Sequence, residues 1–471
     1  MISPETAESK SSQKRSRKEA ISVLSPGSRG ESGSGIAAGG ESTPFTAGEL
    51  LLERFRATRL RTNELVKPLH REDMVVQSME DTSPTKWHLA HTTWFFETFV
   101  LTAHYPDYEL FDSDFPYLFN SYYVQAGPRF SRPRRGMITR PTVDVTMDYR
   151  RYVDRCMAEF LSTIDETLLE VVDELVTLGI NHEQQHQELM MTDIKHVLHQ
   201  NPLRPAYDST ASCTDEPTDL KWVFVEEGLY EVGRDEDGSF MFDNEGPRHR
   251  VFLDSFWLAD RLTTAREYLA FIDDGGYERP ELWLSAGWAT VESQDWHAPI
   301  YWERIDGEWH EFTMSGLIPL RMDAPVSHIS YFEADAFARW SRARLCTEFE
   351  WEVAAAQVES EGNFVESDML MPLSAPTQSN GAGPVRPRQM YGDLWEWTRS
   401  QYSPYPRYSP ADGAIGEYNG KFMCNQFVLR GGSCATPGSH IRNTYRNFFP
   451  PEARWQYAGI RLAADTEPRK V

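Results

Sequence analysis

The sequence has few cysteines, no long apolar run and a shortage of positive charge, and each of these narrows what the chain can be. Five cysteines, Cys156, Cys213, Cys346, Cys424 and Cys434, are scattered over 471 residues without a C-x-x-C pair. Such spacing builds neither a disulfide scaffold nor a zinc ribbon, and a reducing, cytoplasmic compartment fits it best. No stretch approaches the roughly 20 consecutive apolar residues that span a bilayer, so no membrane partner is expected. Lys and Arg number 47 against 71 Asp and Glu, a net charge of -24. A surface so acidic repels phosphate backbones, which makes nucleic acid a poor partner.

What remains is the composition of a soluble globular protein, 40% hydrophobic and 25% charged, in a chain too long for one compact core. Residues 1–45 are rich in Ser, Gly, Glu and Lys. They lack the apolar centre of a secretory signal and read as a disordered tail, with a solvated basic patch at Lys14, Arg15, Arg17 and Lys18. From Thr46 the apolar spacing becomes helical, with Leu50, Leu51, Phe55 and Leu60 on a first helix that Thr46 or Thr62 can cap. Further helices are expected over Thr85–His104, Val143–Ser162 and Glu166–Gln200, and together the four predict an antiparallel bundle over residues 46–200.

Between the second and third helices lies a loop of about 35 residues, Asp107–Pro141, longer than ordinary helix connections. It carries Tyr122, Tyr123, Arg129, Arg132, Arg134 and Arg135. Residues 201–219 read as a linker, because Pro, Ser, Thr and Asp replace the apolar period. A second domain is expected over residues 220–465, followed by a short tail at 466–471. Its short runs, Lys221–Val225 and Arg250–Leu258, its abundant Gly and Trp and its two helices, Thr264–Asp273 and Tyr331–Arg342, predict an irregular α+β fold. The fold class is therefore multidomain, α followed by α+β.

One constellation carries chemistry. His182 and His186 stand four apart on the fourth helix, so both imidazoles leave the same face. His88 and His91 lie on the second helix, and either can complete a trio across the bundle. Glu183, Gln184, Gln185 and Glu188 are at hand to orient such ligands. Three neutral imidazoles suit zinc or ferrous iron, and in six-coordinate geometry they leave three positions open. An Arg- and Tyr-rich loop nearby fits an anionic substrate and oxygen chemistry better than zinc hydrolysis.

The motifs WHLAH (87–91), NSYY (120–123), RPRRG (132–136) and NHEQQHQE (181–188), taken in this order, resemble the ergothioneine-pathway sulfoxide synthases. The distal motifs GDLWEWT (392–398), LRGGSCAT (429–436), RNTYRNFF (442–449) and GIRLA (459–463) extend the resemblance. They are similar to the sulfatase-modifying-factor type of C-type-lectin-like domain that is fused to the bundle in that family. The resemblance implies a damage-inducible-type four-helix bundle with a metal held by His91, His182 and His186, leaving His88 a supporting role. It implies iron(II) as cofactor and O2 as co-substrate. The implied reaction joins hercynine (Nα-trimethylhistidine) to a thiol through a carbon–sulfur bond and oxidises the sulfur to a sulfoxide.

Such a reaction needs a phenol as proton donor. Tyr122 and Tyr123 are the first candidates, because the Tyr-Tyr pair with RPRRG resembles the subgroup that takes free cysteine. Tyr402 and Tyr405 are the alternatives. Where the γ-glutamylcysteine-using subgroup has an acidic residue after the R-N motif, this chain has Phe449, which again favours cysteine. Arg132, Arg134 and Arg135 are candidates for the carboxylate of the sulfur substrate. Gln185 resembles a contact to the hercynine ring and Asn447 a contact to its carboxylate. Phe448, Phe449 and Trp395 or Trp397 are candidates to lie against the trimethylammonium group, where cation–π attraction replaces hydrogen bonds.

Other readings compete. Formylglycine-generating enzymes resemble the second domain, but their copper-binding cysteines are missing from Arg442–Asn447. A zinc-dependent thiol transferase, a non-catalytic lectin-like binding module, and the neighbouring ovothiol-type and selenoneine synthases are the remaining alternatives.

Overall fold

In the computed structural model of the chain the described residues are 46–209, 213, 215–377, 384–410, 416 and 419–468. The tail expected over residues 1–45 with its basic patch, residues 210–212 and 214 of the expected linker, and residues 469–471 lie outside them.

Helix α1 (Ala47–Val66) starts at a capping box, in which the Thr46 hydroxyl accepts from the Glu49 amide and the Glu49 carboxylate accepts from the Thr46 amide. Both amides would otherwise lack a partner in the first turn. Thr62, the other expected cap, sits inside the helix and donates to Glu183. Helix α2 (Thr85–Phe96) is buried along its whole length and continues through a π-helical turn, Glu97–Leu101, to Thr102–His104. Only Ile164 and Asp165 separate α3 (Val143–Thr163) from α4 (Glu166–Gln200), and Asp165 caps α4 by accepting from the amides of Thr167 and Leu168. Helices α1 and α2 each pack against both α3 and α4. Gly179 lets α2 come close to α4, since a Cβ there would lie 2.5 Å from the Phe96 ring.

Beyond Leu220 short strands and helices alternate. Strands β1 (Trp222–Val225), β2 (Gly228–Val232), β3 (His249–Leu253) and β4 (Phe256–Ala259) come first. The run Arg250–Leu258, read as one strand, is two: β3 pairs with β2 and β4 with β1, and Asp254 and Ser255 make the break. Helices α5 (Ala265–Asp273), α6 (Ser285–Gln294), α7 (Tyr331–Trp340) and α8 (Glu348–Ala355) include two, α6 and α8, that the apolar pattern did not announce. Strands β5 (Trp302–Ile305), β6 (Glu308–Thr313) and β7 (Gly316–Pro319) form an antiparallel sheet. With β8 (Arg344–Leu345), β9 (Trp395–Gln401), β10 (Phe427–Arg430), β11 (Asn447–Phe449), β12 (Ala458–Gly459) and β13 (Leu462–Ala464), two four-stranded sheets are completed. Their orders are β1-β4-β13-β8 and β11-β10-β9-β12. The motifs at 392–398, 429–436 and 442–449, far apart in sequence, thus supply the neighbouring strands β9, β10 and β11.

The two halves belong to one compact unit, Thr46–Val471. A shared apolar cluster joins Met190, Met191, Ile194 and Leu198 of α4 to Leu262, Phe312, Leu394, Cys434 and Tyr457 of the second half. Burial on this scale contributes about 1.5–3 kcal/mol for each large side chain, so the seam is as much a core as the interior of either half. Part of the expected linker is docked as well, because the Tyr207 amide donates to Met314 and its hydroxyl to the Leu65 carbonyl. No helix among the described residues is long and apolar enough to cross a membrane.

Lys195 crosses this seam fully buried, donating to His328 Nε2 at 2.7 Å between the rings of Tyr301 and Tyr457. Burial pushes its pKa down to about 8 from the ordinary 10.5. Between those values the unfolded chain holds a proton that the folded one has lost, so rising pH favours the folded state. Relative to Lys195→Met, the wild type is expected to gain stability as pH rises from 8 to 10.5. Urea unfolding of both proteins across that range checks this, and a stability difference independent of pH would refute it.

Candidate metal centre

His91 leaves α2, and His182 and His186 leave α4, toward a common point; their candidate ligand atoms lie within 4.8 Å of one another, and all three residues are buried. Burial drives their basicity down, well below the ordinary imidazole value for His91 and His186 and to about 4 for His182. Neutral imidazoles are what a metal requires.

Hydrogen bonds fix which nitrogen faces the centre. His91 Nδ1 donates to the Phe119 carbonyl at 2.6 Å, so its lone pair is on Nε2. His88 Nε2 lies 3.1 Å from Asp193 Oδ2, and a carboxylate only accepts, so the proton sits on Nε2 and Nδ1 carries the lone pair. That lone pair meets His186 Nδ1 at 2.8 Å, so His186 donates there and keeps its Nε2 lone pair for the centre. Asp193 is itself held by the Ser83 amide. His182 Nδ1 is buried with no partner among the described residues, and the ring lines the cavity with the other two imidazoles. The donor set therefore fits a metal ion, and no carboxylate joins it. Glu183 turns to Arg59, Arg150 and Thr62, and Glu188 to Trp395, Ser433 and Thr436. Burial raises the Glu183 pKa, but the two guanidiniums outweigh it and hold the carboxyl down to about 2.

The histidines open into a cavity of about 210 Å³ lined from both halves. A separate surface groove, lined by Tyr331, Asp335 and Arg399, shares no lining residue with it. Tyr122 and Tyr123 both line the cavity. The Tyr122 hydroxyl accepts from Arg132 Nη1 at 2.8 Å, and its ring meets Phe422 edge-on. Tyr123 is packed among Trp94, Phe95 and Phe99. The alternatives Tyr402 and Tyr405 do not line it. Tyr402 accepts from Asn244 and stacks on Phe448, and Tyr405 donates to Glu348 under Arg446.

Of the three arginines, Arg132 and Arg135 line the cavity and Arg134 is exposed outside it. Residues 132–137 form a 3₁₀ turn, in which positions three apart share a face and the residue between them points elsewhere. Arg135 lies 3.3 Å over the Trp87 ring and donates to Ser83 and Ser121. Neither Arg132 nor Arg135 has an ion pair among the described residues, and the Nε of each is buried without a partner. Burial lowers the Arg135 pKa to about 9.

Gln185, Asn447, Phe448, Phe449 and Trp395 all line the cavity, whereas Trp397 is core and donates to the Ile329 carbonyl. Asn447 Oδ1 accepts from the Phe448 amide, which leaves its NH2 as the end offered to a ligand. Sequence reasoning missed Asp81, Asp193, Tyr445 and Gln456 as lining residues. Asp193 was within reach, since it stands two helical turns beyond His186 on the same face.

Asp193→Asn, which weakens the hold on His88 and through it on His186, is expected to lower divalent-metal affinity about 10- to 100-fold. Titration of the metal-free protein with cobalt(II) or iron(II) reads this directly, and unchanged affinity would contradict the orienting role.

Known proteins match along the same lines. Residues 54–190 match the DinB superfamily and residues 209–466 the sulfatase-modifying factor enzyme 1-like domain. The hercynine oxygenase of Mycolicibacterium smegmatis is 30% identical over 445 residues, covering 89% of this chain and 99% of its own length. That of Mycolicibacterium thermoresistibile is 30% identical over 82% of this chain and 88% of its own. That of Mycobacterium tuberculosis is 33% identical over 61% and 70%. A helical DinB-like half and a lectin-like half around one histidine centre, matched over most of the chain by these relatives, make the chain an oxidoreductase that belongs to the hercynine oxygenase family of ergothioneine-pathway sulfoxide synthases.

Proposed function

We propose that the protein joins hercynine to cysteine with O2, in an iron(II)-dependent reaction, to give hercynylcysteine sulfoxide. The observation that carries this reading is a trio of neutral histidines, with no carboxylate joining it among the described residues, that shares one cavity with Tyr122, Tyr123 and two guanidiniums that have no counter-ion among those residues. In balance, the ring C–H and the thiol S–H are lost, a carbon–sulfur bond forms, one oxygen atom enters the sulfoxide and the other leaves as water. Iron(II) held by His91, His182 and His186 would supply the redox chemistry with O2 and a cationic site for the thiolate.

The chain's residues do the rest. Arg132 and Arg135 bind the cysteine carboxylate, and the counter-charge they lack is the ligand's. Asp81, whose carbonyl accepts from Arg132 Nη2, also lines the cavity and receives the ammonium group. Phe449 offers no carboxylate to a γ-glutamyl amine, which supports cysteine as the thiol. Gln185 meets the hercynine ring, Asn447 offers its NH2 to the carboxylate, and Phe448, Phe449 and Trp395 lie against the trimethylammonium group. Holding both organic substrates removes the entropy cost of their encounter. Tyr122 is the proton donor. Arg132 donates to its oxygen, so the phenolic hydrogen is directed to another partner.

Protein reconstituted anaerobically with ferrous iron is expected to consume O2 only with hercynine and cysteine together, and to give a product with the mass of the sulfoxide. Equal turnover by zinc-loaded protein would overturn the redox reading, and faster turnover with γ-glutamylcysteine would overturn the thiol assignment. Tyr122→Phe is expected to shift product from sulfoxide toward cysteine sulfinate, cutting sulfoxide formation about 10²-fold or more; the same shift in Tyr123→Phe instead would move the role to Tyr123.

A further inference from the structure

Gln185 lines the cavity at the end of a hydrogen-bonded chain that crosses from α4 into the second half. Asn181 Nδ2 donates to the Thr177 carbonyl at 2.9 Å, and its Oδ1 lies 3.0 Å from His440 Nδ1. His440 Nε2 lies 3.1 Å from the Tyr445 hydroxyl, which in turn lies 2.7 Å from Gln185 Nε2.

The direction of every link follows from its first member. A backbone carbonyl only accepts, so Asn181 must turn its NH2 to Thr177 and its oxygen to His440. His440 then donates from Nδ1. It is fully buried beside Arg442, which with desolvation keeps the ring neutral, so Nε2 holds a lone pair. That lone pair takes the Tyr445 hydrogen. The Tyr445 oxygen can then only accept from Gln185, so the Gln185 amide turns its NH2 to Tyr445. Its Oε1, which has no partner among the described residues, is left for the cavity.

We propose that Asn181, His440 and Tyr445 are positioning residues that lock Gln185 with its amide oxygen toward the substrate, so that the site accepts an imidazole only with an N–H at that point. The ring's other nitrogen then carries the lone pair. This rests on the reading that Gln185 contacts the hercynine ring, and goes beyond it by assigning the polarity of the contact and the residues that set it.

The test is hercynine binding by calorimetry to anaerobic, iron(II)-reconstituted full-length protein without thiol, alongside separate KM values for hercynine and cysteine. Tyr445→Phe, which removes one hydroxyl and frees the Gln185 amide to rotate, is expected to weaken hercynine binding about tenfold. The cysteine KM should stay within about twofold, since Asn181, His440 and Tyr445 make no hydrogen bond to Arg132 or Arg135. His440→Leu should behave like Tyr445→Phe. His440→Gln, whose amide can donate to Asn181 and accept from Tyr445, should restore binding to within about threefold. Wild-type hercynine affinity in Tyr445→Phe, with weak binding in Gln185→Leu, would overturn the relay while leaving the Gln185 contact standing. Undiminished affinity in Gln185→Leu would overturn the contact itself. Should His440→Leu fail to fold, Tyr445→Phe decides the question alone.

Discussion

The structure depends on one helix having three different neighbours. At about 100° per residue, α4 directs His182 and His186 to the metal centre, and Glu183 and Gln187 to α1. Asn181, Gln184, Gln185 and Glu188 turn toward the second half. Each set takes roughly a third of the circumference. A helix used this way has no solvent face, which is why this stretch is polar by composition yet buried almost throughout. Its polar atoms must then find protein partners, because leaving one unmatched costs about 1–3 kcal/mol. The networks around Glu183, Glu188 and Asn181 meet that demand, and in doing so they set the orientation of the ligands between them.

Charge is distributed on the same logic. Deep in the bundle Glu183 is shared by Arg59 and Arg150, and in the second half Glu396 pairs with Arg461 and Glu348 with Arg446. Removing one partner of a buried pair costs about 3–5 kcal/mol, so these pairs hold the scaffold rigid. Arg132 and Arg135 break the pattern. Arg135 is nearly as buried as those arginines but has no ion pair among the described residues; the Trp87 face and two serine hydroxyls meet it directly, and Asp193 acts on it only at longer range. A guanidinium kept in that state is suited to an anion that comes and goes.

Much of this was legible in the sequence because the governing signals are local. Apolar spacing and the Thr46 cap give the bundle helices to within a few residues, and the four-residue step from His182 to His186 gives two imidazoles on one face. What the sequence withheld depends on tertiary contact. Tyr445 acts on Gln185 from 260 positions away, and no periodicity reports such a pairing. Arg134 was grouped with its neighbours because composition does not reveal a 3₁₀ turn, whose three-residue repeat alone separates it from Arg132 and Arg135. The motifs favoured Tyr122 and Tyr123 over Tyr402 and Tyr405 but did not separate the adjacent pair, because neighbours in one motif are told apart only by packing. Short strands such as β8 and β12, two residues each, are too brief for any pattern.

The cavity is lined from both halves of the chain: the loop after α2 contributes Tyr122, Arg132 and Arg135, and the second half contributes Trp395, Phe448 and Phe449. On the proposed reading both substrates carry a carboxylate and a cationic nitrogen, so net charge cannot tell them apart. The geometry of the charge does. A quaternary ammonium has no hydrogen to donate, gains nothing from Asp81 beyond Coulomb attraction, and is repelled by Arg132 and Arg135; against aromatic faces it is attracted without a hydrogen bond. A primary ammonium is the reverse case, poorly served by rings and well served by a carboxylate. Methylation of one nitrogen is thus enough to set the two substrates apart. The sorting takes place before any bond is made, and it relies on a cavity that neither half builds alone.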